Sequence, residues 1–231
     1  MNISSQDDLM SECEIQAPCF QALSADEVAL IKQGKTQVQF RKGENLTKQG
    51  TFATYVMFIV RGLVKQYIED DTGRNLNLQI LQSGDFVGLS AVFDKPVFQY
   101  SSVAITDTLV FMVDKEVMKT VLKNNGNFAF NIIQRHNEQS DMLYSVLRTL
   151  TYKQMNGRLA DTLLYLSSLP YSDYEIYGNL SRKDIADFAG ISTESAVKLL
   201  KIFEKDGIVS LQDKTISIVN RELLLEISKR G

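Results

Sequence analysis

The chain has little of the chemistry that enzymes and metal proteins need. Its 231 residues contain one histidine, His136, and two cysteines, Cys13 and Cys19. The sequence offers no Ser/His/Asp set and no glycine-rich loop suited to cradling phosphates. Two thiolates are fewer than the four ligands of a structural zinc or an iron–sulfur cluster. We therefore expect neither catalysis nor a metal site, and no disulfide in a reducing compartment.

Long apolar runs are also absent. No stretch approaches the ~20 apolar residues that a membrane helix needs. The first residues, MNISSQDDLMSE, are acidic and polar, so they lack the basic and then apolar layout of a secretion signal. These absences predict a cytoplasmic protein without a membrane partner. Its 231 residues, 44% of them hydrophobic, are enough for two globular domains.

A general excess of positive charge is missing too, since the net charge is −3. Residues 1–150 carry 14 Lys/Arg and 17 Asp/Glu, and residues 151–231 carry 11 of each. Any binding to nucleic acid must therefore come from a local basic face and not from bulk charge.

The stretch 180–209, LSRKDIADFAGISTESAVKLLKIFEKDGIV, has the pattern of two short helices joined by a tight turn. Ser181 and Asp184 form a variant of the capping box at the start of the first helix. Gly190 suits the left-handed conformation of a sharp turn, and Ser192 caps the second helix. The pattern predicts a helix-turn-helix, whose second helix enters the major groove of DNA.

The second helix of this stretch has one polar, mainly cationic face, made of Glu194, Lys198, Lys201 and Lys205. An ordinary solvated helix surface is the alternative interpretation. Two short strands, 208–211 and 215–219, then surround the turn Gln212-Asp213-Lys214 and predict the hairpin of a winged helix. Its tip residue, Lys214, is suited to a backbone phosphate.

Residues 35–113 have the pattern of short strands punctuated by glycine, which is typical of a β-sandwich or barrel. One segment, Leu76, Leu78 and Ile80, alternates strictly and predicts a half-buried strand. Helices are predicted over 114–124 and about 127–150, and residues 151–169 are predicted to contain another amphipathic helix. The long helix 127–150 has an apolar stripe, interrupted by His136 and Gln139, that predicts pairing with a second copy as a two-helix coil.

A β-roll, a long helix and a winged helix in this order resemble the Crp/Fnr family of bacterial transcription regulators. The residues that carry the resemblance are RKGENLTKQG (41–50), MFIVRGLVKQY (57–67), DDTGRN (70–75), LQSGDFVG (81–88), NGRLADTLL (156–164) and the stretch 180–209. It implies an α+β fold with an N-terminal double-stranded β-helix or jelly roll. The implied domains are a cyclic-nucleotide-binding-like sensor (1–125), a dimerisation helix (126–150) and a winged helix-turn-helix DNA-binding domain (151–231).

The resemblance also implies a homodimer that regulates transcription at an inverted repeat of double-stranded DNA, with RNA polymerase as a partner. Glu194 stands where the family's glutamate accepts from a cytosine amine, and Lys198 where an arginine usually pairs with guanine. Thr193 replaces a guanine-reading arginine of the cyclic-AMP branch, so a different half-site is expected. The predicted phosphate contacts, which position the protein on DNA, are Ser181, Ser192, Lys201 and Lys214.

The implied effector pocket departs from the cyclic-nucleotide pattern. Gly88-Leu89-Ser90 stands where those members have Gly-Glu-Leu, whose glutamate accepts from the ribose hydroxyl. Tyr100-Ser101 stands where an Arg-Ser pair meets the cyclic phosphate. Leu89 cannot accept a hydrogen bond, and Tyr100 cannot neutralise a buried anion. We therefore expect a small-molecule effector other than cyclic AMP, or a region that is only barrel core.

Other branches of the family sense oxygen or nitric oxide through an iron–sulfur cluster or a haem. Cys13 and Cys19 lie where the oxygen-sensing branch keeps clustered cysteines, but two members of that cluster are missing. His136 is interpreted as a coiled-coil residue and not as a haem ligand. A redox- or gas-responsive regulator and a ligand-binding module without DNA binding are the alternatives, and the cofactor is left open.

Overall fold

The computed structural model describes residues 20–93, 95–169, 176–213 and 215–231. Within them the strands are β1 (Lys35–Phe40), β2 (Asn45–Thr47), β3 (Tyr55–Arg61), β4 (Val64–Glu69), β5 (Asn75–Leu81), β6 (Phe86–Val87), β7 (Ser101–Ala104), β8 (Thr108–Asp114), β9 (Val209–Gln212) and β10 (Thr215–Ile218). The α-helices are α1 (Ala25–Gln33), α2 (Lys115–Asn124), α3 (Gly126–Tyr152), α4 (Met155–Ser168), α5 (Ile176–Asn179), α6 (Arg182–Ala189), α7 (Thr193–Lys205) and α8 (Arg221–Arg230). The predicted α+β order of β-roll, long helix and winged helix-turn-helix is confirmed.

The strands form two four-stranded sheets and one hairpin. One sheet has the order β1-β8-β3-β6, the second has the order β2-β7-β4-β5, and β9 pairs with β10. The neighbours of β8 are antiparallel, with Val110 opposite Val38 on one side and Phe111 opposite Phe58 on the other. The glycine-punctuated segments therefore give the roll that the sequence predicted.

By contacts, the described residues form two compact units. The first contains the residues up to Val64 together with Ile80–Asp141, and the second contains Lys65–Gln79 together with Met142–Gly231. The division predicted by resemblance, at residues 125 and 150, stays a prediction.

An aromatic cluster lies at the centre of the first unit. The rings of Phe20 and Phe58 meet edge-on with centroids 4.6 Å apart, and Phe58 lies 5.2 Å from Phe86. Phe128, in the first turn of α3, is fully buried against the same cluster. Edge-to-face contacts of this kind stabilise a core beyond the area that they bury.

The second unit combines the end of α3 with the winged helix and with a hairpin from earlier in the chain. The alternation of Leu76, Leu78 and Ile80 predicted that only one face of β5 is buried. Both faces are covered, because Asn77 is 0% exposed and Gln79 is 7% exposed, while the leucines are half-buried. Gln79 donates to the Gln66 side chain across the hairpin at 2.8 Å, which satisfies two buried amides.

Candidate nucleic-acid interface

The first helix of the helix-turn-helix, α6, begins at the capping box that the sequence predicted. Ser181 Oγ accepts from the backbone N–H of Asp184 at 3.1 Å, and Asp184 Oδ2 accepts from the Ser181 N–H at 2.8 Å. The inner side buries Ile185 and Phe188. Gly190 ends the helix with φ 60° and ψ 39°, the left-handed conformation expected of a tight turn.

The second helix, α7, begins at Ser192, whose hydroxyl accepts from the Ser195 N–H at 3.1 Å. Its buried face consists of Ala196, Leu200 and Phe203. The apolar residues beside this face are less covered, because Val197 is half-buried and Ile202 is 50% exposed. The buried residues Ala196 and Leu200 are four positions apart, so the buried face lies slightly to one side of Val197.

The structure places the three proposed base-reading residues on the exposed side of α7, in its first two turns. Thr193 opens the helix, and the side chains of Glu194 and Lys198 are 77% and 71% exposed. Their Oε1 and Nζ atoms are 2.7 Å apart, which is an i,i+4 ion pair. An ion pair this exposed contributes little to stability. Both groups are therefore free to exchange this contact for others.

The proposed phosphate-contacting residues divide into two groups. Lys201 is exposed on α7, one turn beyond Lys198. Ser181 and Ser192 are exposed, but their hydroxyls already cap α6 and α7. Lys214 lies outside the described residues.

Sequence reasoning missed Arg182, which joins α6 to the wing. Its Nη2 donates to the backbone carbonyl of Asp213 at 3.1 Å, next to the wing tip. Burial lowers the pKa of this guanidinium. Asp213 has φ 50°, so the turn at this point is left-handed. An arginine directly after an N-cap serine was the only signal in the sequence.

The hairpin β4–β5 contacts the same helix, which the sequence also did not reveal. Lys65 Nζ forms an ion pair with Asp184 Oδ1, and Asn77 Nδ2 donates to the Asp184 carbonyl at 2.9 Å. The side chains of Lys65 and Asp184 are 9% and 22% exposed. Burial raises the pKa of Asp184, but hydrogen bonds from Lys65 and Ser181 outweigh it and leave the pKa below its ordinary value.

The predicted effector-pocket residues lie in the first unit, where several make structural contacts. The Gly88 N–H donates to Tyr100 Oη at 3.0 Å, and Ser101 Oγ accepts from the Gln49 N–H at 3.0 Å. Leu89 packs against the aromatic core. The Ser90 hydroxyl is buried without a partner among the described residues. The structure thus joins Gly88 to Tyr100 and packs the half-buried Leu89 against the core.

Metal-binding groups are not clustered in the described part of the chain. No group of three His, Cys, Asp or Glu residues there could hold a metal ion. His136 is exposed on α3. Cys13 and Cys19 lie outside the described residues, so the expectation for them stays a prediction. None of the described helices is long and apolar enough to cross a membrane.

Two family models match the chain over separate ranges. The cyclic nucleotide-binding domain matches residues 37–125, and the Crp-like helix-turn-helix domain matches residues 157–227. Among curated proteins, the cAMP-activated global transcriptional regulator CRP of Salmonella typhimurium is 25% identical over 177 residues, covering 75% of this chain and 84% of that protein. The anaerobic regulatory protein of Bacillus subtilis is 25% identical over 204 residues, 86% of each.

Solved structures show the same fold. A Crp/Fnr-family regulator from Eubacterium rectale aligns with a TM-score of 0.76 at 20% identity, covering 92% of this chain and 98% of that one. FixK2 from Bradyrhizobium japonicum aligns with a TM-score of 0.74 at 23% identity, covering 85% and 98%. The fold and the two domain matches define a DNA-binding transcription regulator with a cyclic nucleotide-binding-like domain. The chain belongs to the Crp/Fnr family. The relatives of this chain in that family are regulators and not enzymes.

Proposed function

We propose that this regulator binds an inverted repeat of double-stranded DNA as a homodimer, in the cytoplasm, with RNA polymerase as its further partner. The observation that supports DNA binding is the exposed face of α7, where the side chains of Glu194 and Lys198 are 77% and 71% exposed on a helix that is capped at both ends. A carboxylate accepts from the cytosine amine, and an ammonium donates to guanine O6 and N7. We assign the remaining contacts at this helix to Thr193 and to phosphates near Lys201.

The two proposed base-reading residues give a direct test. Selection of bound sequences from a random DNA library should return an inverted repeat for the wild-type protein. The variant Glu194→Ala should relax the preference at one base position per half-site, by about 1–3 kcal/mol. Lys201→Gln should instead weaken binding evenly across sequences and reduce the salt slope by about 1.

A matched control is Lys229→Gln, which removes one exposed positive charge from α8 instead of α7. It should leave both the preference and the salt slope close to those of the wild type. A wild-type protein that selects no sequence, or a Glu194→Ala variant with an unchanged preference, would contradict the proposal.

The support for a homodimer is an apolar row on α3. Phe130, Ile133, Tyr144 and Leu147 are 67%, 63%, 68% and 62% exposed. Their spacing of 3, 11 and 3 residues in the sequence corresponds to a and d positions of one heptad frame, in which Asn137 and Ser140 occupy the a and d positions between the two apolar pairs. A helix that leaves such a stripe open in a single chain is suited to pairing with a second copy.

Sedimentation equilibrium at micromolar concentration tests the dimer. The variant Leu147→Lys places a charge in the seam and should shift the protein towards monomer, because an unpaired charge is costly to bury. Leu225→Lys on α8, at a leucine that is 39% exposed, is the matched control and should not change the mass. A monomeric wild type, or equal masses for wild type and Leu147→Lys, would refute this part.

We further propose that the effector is not cyclic AMP. In the first unit Leu89 is half-buried and packs against the core, and the Gly88 N–H is already bonded to Tyr100 Oη. The segment formed by Gly88, Leu89, Ser90, Tyr100 and Ser101 contains no cation to balance a phosphate. Calorimetric titration with cyclic AMP should show no saturable heat, whereas micromolar binding would refute this part.

A further inference from the structure

The second unit contains a cavity of about 250 Å³ that none of the contacts above uses. It is bounded by the last turns of α3, by α4, α6 and α8, and by the hairpin strand β5. Its apolar wall includes Leu78, Val146, Tyr165 and Phe188. The volume is just below the range of about 300–1,000 Å³ for drug-sized ligands. A ligand smaller than a typical drug is therefore expected.

The charged side chains on the wall of this cavity do not all pair with one another. Lys153 Nζ lies 2.8 Å from Asp161 and 3.1 Å from Ser228 Oγ, so these two charges balance each other. Asp161 also accepts from Thr149 Oγ1 at 2.7 Å. Arg148, an exposed residue, lines the same cavity, and the described residues offer it no hydrogen bond or ion pair. The remaining guanidinium is suited to one carboxylate, which it can bind through two parallel hydrogen bonds.

We propose that this cavity binds a small monocarboxylate with an aromatic or branched aliphatic body. The body would lie between Leu78, Tyr165 and Phe188, and the carboxylate would reach Arg148. An apolar wall with few polar groups that fix the orientation is the usual composition of a small-molecule site. The proposal concerns binding alone, so it does not depend on the DNA sequence that the protein recognises.

The cavity is next to the link between α3 and α4, which consists of Lys153 and Gln154. Arg158 holds this link, because its Nη2 donates to the Leu150 carbonyl and its Nε to the Lys153 carbonyl, both at 2.8 Å. Leu150 and Lys153 both line the cavity. A bound ligand would therefore contact the residues that set the direction of α4, and it should protect the link from local opening.

Phenylacetate is a suitable probe, with phenylacetamide as its neutral match. Calorimetric titration of the full chain should show saturable binding of phenylacetate. The affinity should fall about tenfold or more for phenylacetamide and for Arg148→Gln, because each loses the charge-assisted contact. Ser145→Trp, which places a large ring at an exposed lining position, should abolish binding while the protein stays folded.

Lys229→Gln, an equal loss of charge elsewhere on the second unit, should bind phenylacetate as the wild type does. At a phenylacetate concentration near the wild-type dissociation constant, hydrogen exchange of the amides of residues 149–158 should slow in the wild type and slow much less in Arg148→Gln. The proposal is overturned if the wild type shows no saturable binding. It is also overturned if Arg148→Gln binds equally well, if Lys229→Gln loses as much affinity, or if binding leaves exchange of 149–158 unchanged.

Discussion

Replacing Lys65 by methionine isolates the contact between the hairpin and the helix-turn-helix. The methionine keeps most of the aliphatic volume and removes the ammonium that pairs with Asp184. Removing one partner of a fully buried pair costs about 3–5 kcal/mol. Asp184 is 22% exposed and keeps its hydrogen bonds from Ser181, so the expected cost is lower, about 1–3 kcal/mol.

Native-state hydrogen exchange of the full chain measures this cost locally. Amides of α6 in Lys65→Met should exchange about 5- to 150-fold faster, which corresponds to that free energy. Amides of β1 and β8, in the first unit, should keep their rates and serve as the internal control. In a double-mutant cycle with Asp184→Asn, the coupling energy should be of the same size, about 1–3 kcal/mol.

The pH dependence of this contact has a definite sign. Because the pKa of Asp184 is lowered in the folded protein, its contribution is fully present above the unfolded value of 3.8. It is lost as the pH falls towards the folded value. The exchange difference between wild type and Lys65→Met should therefore shrink in acid. Additive effects of the two substitutions, or faster exchange spread evenly over both units, would refute the reasoning.

Three further predictions concern single groups of the second unit. Gly190→Ala should lower the unfolding free energy by about 1–2 kcal/mol because of its φ of 60°. It should cost more than that, because Leu150 Cδ2 is only 2.6 Å from the added methyl carbon and must move. Gly207→Ala, with nothing within 4 Å of the added carbon, should show the backbone cost alone in thermal melts. Ser181→Ala should lower the unfolding free energy by about 0.5–2 kcal/mol in urea titrations through loss of the α6 cap, and an unchanged value would contradict that role. Burial raises the pKa of Tyr177 although Arg221 opposes it, so stability should fall as the pH rises above the unfolded value of 10.0, and Tyr177→Phe should remove that decline.

The helix-turn-helix was predictable because its limits are set by local chemistry. Ser181, Asp184, Gly190 and Ser192 act on backbone groups within a few residues, and each performs the predicted cap or turn. The glycine turns of the roll are local in the same sense. Local signals of this kind survive in almost any tertiary context.

The hairpin contacts could not be predicted, because they join residues more than 100 positions apart in the chain. Lys65 and Asn77 meet Asp184 across separations of 119 and 107 residues. Alternation in β5 identifies a strand but not what covers its polar face. The contact between two candidate effector residues was not predictable either, because their positions in the sequence could not show that Gly88 and Tyr100 would bond to each other.

The inclusion of residues 65–79 in the second unit has a consequence for how the protein assembles during synthesis. The hairpin leaves the ribosome well before α6, because residues 80–141, which belong to the other unit, come between the two parts of this one. Closing a longer loop costs only slightly more entropy, but contacts between distant residues form slowly. Lys65 and the polar face of β5 must therefore stay hydrated until Asp184 emerges. We expect the second unit to be the last to gain protection in a pulse-labelled refolding experiment.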